Sequence, residues 1–373
     1  MAKKIRVGII GVGNCFAGLI QGIEYYKKPR TRTFGSVRGR NKNKKIIGLM
    51  HEKIGPYNFC DIEFVSAFDV GANKIGKTLD KAVFASPNLV KWIKLPKSKV
   101  VVRETPILDG VGIFVENKIK PLKKPSPIEK LEKEIEKELK RTKTEILVNY
   151  LPVGSQKATE FWAGMALKTN CAFVNCLPAF IASDKKWAEK FKKSKTPIIG
   201  DDIKGQIGAT IVHRILAKLC SDRGTTIDKT YQINVGGNTD FLNMLERTRL
   251  ESKKISKTEA VTSQINKEIK AEKIYIGPSD FIPFLGNMKL AFIRIEGKMF
   301  ADIPYSVELR LEVDDKANSA GVVIDAIRCA KLALNRKIGG YLPVSSYFMK
   351  HPLEQKTDDE AKDIVEKFIK GKR

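Results

Sequence analysis

Apolar residues in the first half of the chain fall into short runs separated by stretches that recur every three to four positions. The run KIRVGII at residues 4–10 is followed by Ala17, Leu19, Ile20, Ile23 and Tyr26 at helical spacing. A strand and then a helix from about Asn14 to Tyr26 are predicted. A second run, IEFVSAFDV, carries Asp69 at its end, and a helix is predicted from Lys74 to Phe84. Over 126–141, Ser126 begins a capping-box pattern with Glu129, and Pro127 takes the first helical position. Ile128, Leu131, Ile135 and Leu139 make one stripe there, with Glu129–Lys133 and Glu136–Lys140 as pairs one turn apart. EILVNYL reads as a buried strand, 155–168 as a helix and AFVNCL as the next strand. Alternation of this kind predicts a parallel, doubly wound sheet.

The pattern changes after about residue 200. Val307, Leu309, Leu311 and Val313 alternate with Glu308, Arg310 and Glu312, the signature of a half-exposed strand. LAFIRIEG, TYQINVGG and KIYIGP are its companions, in a sheet predicted to be largely antiparallel. The chain then returns to helix in NSAGVVIDAIRCAKLALNR, with Asn318 or Ser319 as the expected cap.

Length and composition refine this picture. With 373 residues, 42% of them hydrophobic, the chain can bury a sizeable core in two domains. It has no apolar run of about 18 residues, so a membrane span is not expected. The start has the charge and apolar run of a signal peptide but no small-residue cleavage site, so it reads as a first strand and a cytoplasmic protein is expected. Cys15, Cys60, Cys171, Cys176, Cys220 and Cys329 form no CxxC pair, and His51, His213 and His351 are widely spaced. Buried free thiols are expected, rather than disulfides or a Cys/His zinc site. Lys and Arg number 68 against 42 Asp and Glu, and nine of them fall between Lys27 and Lys45 with no acid. That segment reads as a surface loop. Elsewhere the lysines are interleaved with glutamates, so nucleic acid is not the expected partner.

Candidate chemistry begins at the first strand-to-helix turn. In RVGIIGVGNC, Gly11 permits a tight turn and Gly13 lets the backbone approach a pyrophosphate on the helix N-terminus. Phe16 stands where a third glycine is usual. Asp69 is the acid for a ribose, later than the usual spacing because the basic loop and GLMHEKIGPYNF intervene. An acid there repels a 2′-phosphate, so NAD is favoured over NADP; a plain strand-to-helix turn is the alternative. Much later, LESKKISKTEAV sets Lys253 and Lys257 four residues apart, sharing one face. Taken alone, such a run could be only a solvated surface.

Longer strings decide between these readings. GVGNC, GLMHEKIGPYNF, NYLPVGS, GDDIKGQIGAT, NVGGNTDFLNMLERTRLESKKISKTEAVTS, IGPSD, NSAGVVIDAIR and SSYFMKHP follow one another in order. From about residue 5 to residue 355 the chain resembles myo-inositol-1-phosphate synthase, in the shorter form of archaea and some bacteria. The basic loop and the charged helix near 126–141 depart from it. The resemblance implies an α/β fold: a Rossmann-like NAD domain at 1–200, completed by 314–373, with an α+β catalytic and tetramerisation domain at 201–313. It implies D-glucose 6-phosphate as substrate and a homotetramer. It also implies chemistry without net redox change: oxidation at C5 by bound NAD, loss of a C6 proton, aldol closure onto C1 and return of the hydride.

Lys253, Lys257, Lys289 and Lys350 match the family's active-site lysines. Lys257 and Lys289 are assigned to the C5 oxygen, and Lys253 and Lys350 to phosphate or the C1 oxygen. Crowding is expected to lower their pKa values and make one a proton shuttle. Lys254 matches no such position and stays a solvated lysine. Asp240 and Asp202 match acids near substrate and nicotinamide, and Asp315 one proposed to touch cofactor or metal. Gly11, Gly13, Asn14, Cys15, Asp69, Gly205, Asp240 and Lys253 complete the expected cofactor contacts. Cys15 is not read as a catalytic thiol, nor His213 or His351 as catalytic. Some short family members use a divalent metal ion, for which Asp202, Asp240 and Asp315 are the candidate ligands. The competing readings are an ordinary NAD-dependent dehydrogenase, which would accumulate NADH, and a basic nucleic-acid-binding protein.

Overall fold

The computed structural model of the chain describes residues 4–27, 46–265 and 269–372. The basic stretch read as a surface loop lies outside the described residues, apart from Lys27. Along the chain the strands are β1 (Ile5–Ile10), β2 (Lys53–Ile54), β3 (Tyr57–Asn58), β4 (Ile62–Asp69), β5 (Val102–Glu104), β6 (Ile146–Asn149) and β7 (Ala172–Asn175). There follow β8 (Pro197–Ile199), β9 (Lys229–Gly236), β10 (Ile274–Phe281), β11 (Met288–Lys298), β12 (Pro304–Asp314) and β13 (Gly340–Tyr341). The helices are α1 (Asn14–Lys27), α2 (Leu79–Ala82), α3 (Ile128–Arg141), α4 (Gln156–Thr169), α5 (Lys185–Lys193) and α6 (Ala209–Asp222). The remaining ones are α7 (Thr239–Asn243), α8 (Glu251–Thr262), α9 (Asp315–Asn335), α10 (Ser345–Phe348) and α11 (Asp358–Ile369).

Seven strands form one sheet in the order β13-β8-β7-β6-β1-β4-β5, with every pair parallel. The order reverses on either side of β1, which puts helices on both faces and a crevice at the carboxyl ends of the strands. Alternate β1 side chains enter two separate cores. Ile5, Val7 and Ile9 pack with Phe16 and Leu19 of α1 and Val323 and Ile327 of α9. Ile10 faces the other way, into a core with Leu131 and Ile135 of α3, Trp162 of α4 and Phe173. Helix α9 is apolar on nearly all sides, as a helix sunk in the interior must be.

A second sheet has the order β10-β9-β11-β12; β10 and β9 are parallel and the other pairs antiparallel. Ala217 of α6 and Val261 of α8 cover one face, against Ile276, Ile293 and Ile295. That packing fixes α8, the helix carrying LESKKISK, over the crevice of the first sheet. Among the described residues, no helix is long and apolar enough to cross a membrane, and all six cysteines are free thiols.

Four local expectations are corrected. Helix 74–84 shrinks to α2, because Gly76 takes a left-handed φ of +80° and Lys74 turns back toward the glycine turn. Ser126 makes no capping box: Pro127 is itself the cap of α3, and the Ser126 N–H donates to Glu104 instead. In the α3 stripe, Leu131, Ile135 and Leu139 are buried, but Ile128 at the helix entrance is exposed. Helix α9 begins a turn before Asn318, because the Asp314 carboxylate accepts the N–H groups of Lys316 and Ala317. Asn318 is freed to clamp Ile207, accepting from its N–H at 2.8 Å and donating to its carbonyl at 2.9 Å.

Candidate active site

The turn between β1 and α1 needs glycine for two different reasons. Gly11 has φ +90°, and a Cβ there would lie 2.8 Å from the Tyr150 carbonyl oxygen. A Cβ at Gly13 would meet no protein atom within 4 Å, because Gly13 faces a cavity. The side-chain oxygen of Asn14 accepts from Leu89 N–H at 2.6 Å, tying the 87–90 loop to the start of α1. Asp69 stands at the end of β4 and lines the same cavity. Its Oδ2 accepts from Val12 N–H and its Oδ1 from Gly71 N–H, each at 2.8 Å, so it also splints the turn. Burial raises the pKa of the Cys15 thiol, which suits a packing role rather than a nucleophile.

The opposite end of the cavity is built by α8, β11, the start of α9 and residue 350. Lys253 and Lys257 share one face of α8, with Ser256 between them. Lys253 Nζ and Lys350 Nζ each donate to Asp202 Oδ1 at 2.9 Å, and Ser256 Oγ donates to Oδ2 at 2.7 Å. Asp202 is held at φ +61° by a two-stranded pairing: Lys350 N–H donates to its carbonyl at 2.7 Å, and Asp201 and His351 exchange N–H···O bonds of 3.0 Å. Lys289 Nζ lies 3.5 Å from Asp315 Oδ1, and Lys316 Nζ lies 2.9 Å from Oδ2. Asp240 sits in the first turn of α7, which Asn238 caps. Gly205 also lines the cavity.

The electrostatics sort these groups. Burial, reinforced by Lys289, Lys253 and Lys350, drives the pKa of Lys257 well below that of an ordinary lysine. Lys257 has no hydrogen-bond acceptor or ion-pair partner among the described residues. Burial takes Lys350 down to about 8, with Asp202 resisting. Lys253 moves the other way from the expectation: burial lowers it, but Asp202, Asp240 and Asp315 outweigh burial and raise it. Burial also opposes ionisation of Asp202 and Asp315, yet their lysine neighbours hold both below the usual carboxylate range. Lys253, Lys257, Lys289, Lys316 and Lys350 thus outnumber Asp202, Asp240 and Asp315 along the cavity wall, a surplus of positive charge suited to a phosphorylated ligand.

Candidate metal ligation fares differently. Among the described residues, no group of three His, Cys, Asp or Glu is arranged to hold a metal ion. Asp202 and Asp315 each face two ammonium groups, a donor environment that repels a divalent cation. The residues therefore do not fit the divalent ion suggested for short family members. His213 is buried against Thr230 Oγ1 at 2.7 Å, and His351 stacks on Phe180, so neither joins the lysines. Lys254 is exposed, as expected.

The cavity joins the glycine turn to the lysine cluster and measures about 1930 Å³ including its open mouth. Three residues of the site escaped the sequence reading: Lys316 and Lys74, which line the cavity, and Ser256, which holds Asp202. Lys316 adjoins the predicted Asp315, and Ser256 shares the face of Lys253, so proximity was the available signal. Lys74 gave none, since it lay within a predicted helix.

A parallel sheet with a glycine turn, opening onto a lysine-lined cavity, defines a dehydrogenase-like Rossmann protein with a second, largely antiparallel sheet. The family model "Myo-inositol-1-phosphate synthase" matches residues 208–316. An inositol-3-phosphate synthase of Mycobacterium tuberculosis is 49% identical over 99% of this chain and 97% of its own length. One from Corynebacterium glutamicum is 48% identical, covering 98% of each chain. The fold matches a myo-inositol-1-phosphate synthase-related protein from Thermotoga maritima (TM-score 0.79, 23% identity, 99% of both chains). It also matches the inositol-3-phosphate synthase of Caenorhabditis elegans (TM-score 0.77, 13% identity, 99% of this chain and 86% of that one). The chain belongs to the inositol-3-phosphate synthase family, and is an enzyme.

Proposed function

We propose that the chain converts D-glucose 6-phosphate to 1D-myo-inositol 3-phosphate, in the cytoplasm and as a homotetramer, serving inositol and phospholipid biosynthesis. The observation that carries this reading is the convergence of Lys253, Lys257, Lys289 and Lys350 on one cavity with the glycine turn. The same reading assigns residues 1–200 with 314–373 to cofactor binding, and 201–313 to catalysis and tetramerisation. Gly11, Gly13, Asn14, Cys15, Asp69 and Gly205 would hold NAD, joined by Asp202, Asp240, Lys253 and Asp315. When bound, NAD would supply reversible hydride transfer at C5, which leaves the overall conversion redox-neutral.

The chain's own residues carry the charge and the protons. Lys253 and Lys350, fixed by Asp202, present ammonium groups to the phosphate or the C1 oxygen, where negative charge develops on closure. Lys289, leaning on Asp315, stabilises the oxygen on C5 as an enolate. Lys257, whose pKa burial and its lysine neighbours drive well below that of an ordinary lysine, meets no acceptor among the described residues, so it is suited to proton transfer beside C5. Carboxylates held at low pKa keep the neighbouring ammonium groups in position without themselves taking up protons.

Purified protein incubated with glucose 6-phosphate and substoichiometric NAD+ tests this, with phosphorus NMR reading inositol phosphate and absorbance reading NADH. Product exceeding the NAD+ supplied, with no NADH build-up, is expected. Stoichiometric NADH without inositol phosphate would replace this reading with a plain dehydrogenase.

A further inference from the structure

An ammonium group carries three N–H donors, so counting the acceptors around a buried lysine separates structural lysines from ligand-directed ones. Lys74 is saturated by protein: Val12 O at 2.8 Å, and Asp69 Oδ2 and Asn88 Oδ1 each at 3.4 Å. Lys316 is different. Its side chain is only 2% exposed and lines the cavity, yet among the described residues one oxygen accepts from it, Asp315 Oδ2 at 2.9 Å. Its other close polar neighbour is the Cys15 thiol, a weak acceptor.

The location gives this spare capacity a direction. Cys15 is the second residue of α1, where the first-turn N–H groups are unpaired and carry the positive end of the helix dipole. Gly18 is what lets α9 bring Lys316 so close to α1. A Cβ on Gly18 would stand 3.2 Å from Lys316 Cβ and 3.3 Å from the Lys316 carbonyl oxygen. A fixed ammonium and the first turn of α1 therefore meet at the cavity wall near Cys15.

We propose that Lys316 is a cofactor-anchoring residue, which donates a charge-assisted hydrogen bond to the diphosphate of a dinucleotide lying on the first turn of α1. The inference rests on the dinucleotide reading of the proposed function and extends it to a residue from the far end of the chain. Lys316 then closes the cofactor site from α9, opposite the glycine turn.

The test is calorimetric NAD+ binding, without substrate, to the full chain and to Lys316→Met and Lys316→Arg. Lys316→Met should raise the NAD+ dissociation constant about tenfold or more, the loss expected for one charge-assisted hydrogen bond. Lys316→Arg should recover part of that loss, and adenosine, which lacks the diphosphate, should bind wild type and both variants alike. Equal NAD+ affinity in wild type and Lys316→Met overturns the proposal. So does an equal loss for adenosine, which would make the effect one of packing, and so does a rise confined to the KM for sugar phosphate. Wild-type protein that binds no NAD+ overturns the proposed function itself.

Discussion

The surroundings of Lys257 oppose its charge: it is nearly fully buried, three other lysines press on it, and no acceptor meets it among the described residues. Such an ammonium contributes nothing to the fold, so the Lys257→Met variant should unfold at the same temperature or higher. Its kcat should fall about 100- to 10,000-fold, the range of a lost general acid or base. A clear drop in Tm with activity retained would show that the lysine is structural. Asp202 makes the opposite case, because it favours the ammonium of both lysines that touch it. Lys350, at about 8, loses its proton as pH rises through that value. If the ammonium form is the working one, kcat/KM has an alkaline limb near pH 8. Asp202→Asn removes an anion that raises the Lys350 pKa, so this limb should move to lower pH, by about one pH unit or more. A pH–rate profile reads the direction; an unmoved or alkaline-shifted limb would contradict the assignment.

At the scale of elements, the glycine turn separates folding from ligand binding. Gly11→Ala forces a side chain into a left-handed φ and toward the Tyr150 carbonyl, which should destabilise the protein by roughly 1–3 kcal/mol. Gly13→Ala meets open space, so it should leave thermal unfolding unchanged while weakening NAD+ binding measured by calorimetry. Equal losses of stability from both would mean that Gly13 is packed rather than ligand-facing. Strands β1, β4, β6 and β7 and helices α1 and α4 were legible in the sequence because burial on a regular element imposes a period. The cap of α3, the shortness of α2 and the early start of α9 were not. The first two depend on a side chain finding a distant partner, Glu104 with the Ser126 N–H and Lys74 with Val12; the third turns on Asp314, which caps α9 while Asn318 holds Ile207. The same distinction holds in the site. Lys253 and Lys257 could be read from one helix face. The upward shift of Lys253 needs Asp202, Asp240 and Asp315, which come from three separate segments.

At the scale of the molecule, the two sheets are tied together by buried charge. Arg214 of α6 donates to Ala260 O at 2.5 Å and to Lys356 O at 2.8 Å, fastening the end of α8 to the chain leading into α11. The lysine helix is thereby held by both units, which suits a cavity that must not widen around a reactive intermediate. The outer surface of the second unit is less settled in water. Phe284 is 86% exposed and Phe300 96%, and on α6 Ile215 and Leu219, one turn apart, are 54% and 53% exposed. On the proposed tetramer, these exposed apolar side chains would lie at an interface between chains. The tetramer expected of the family gives them a place to be covered. Sedimentation equilibrium should therefore find wild-type protein as a tetramer. The double variant Ile215→Glu, Leu219→Glu should sediment as a smaller species, because two buried carboxylates without partners oppose association. The core beneath α6 is built from Ala217 and Cys220, on its other face, so circular dichroism should remain that of folded protein. A monomeric wild type would leave these side chains without a partner chain, and a tetrameric double variant would move the interface to another surface of the molecule.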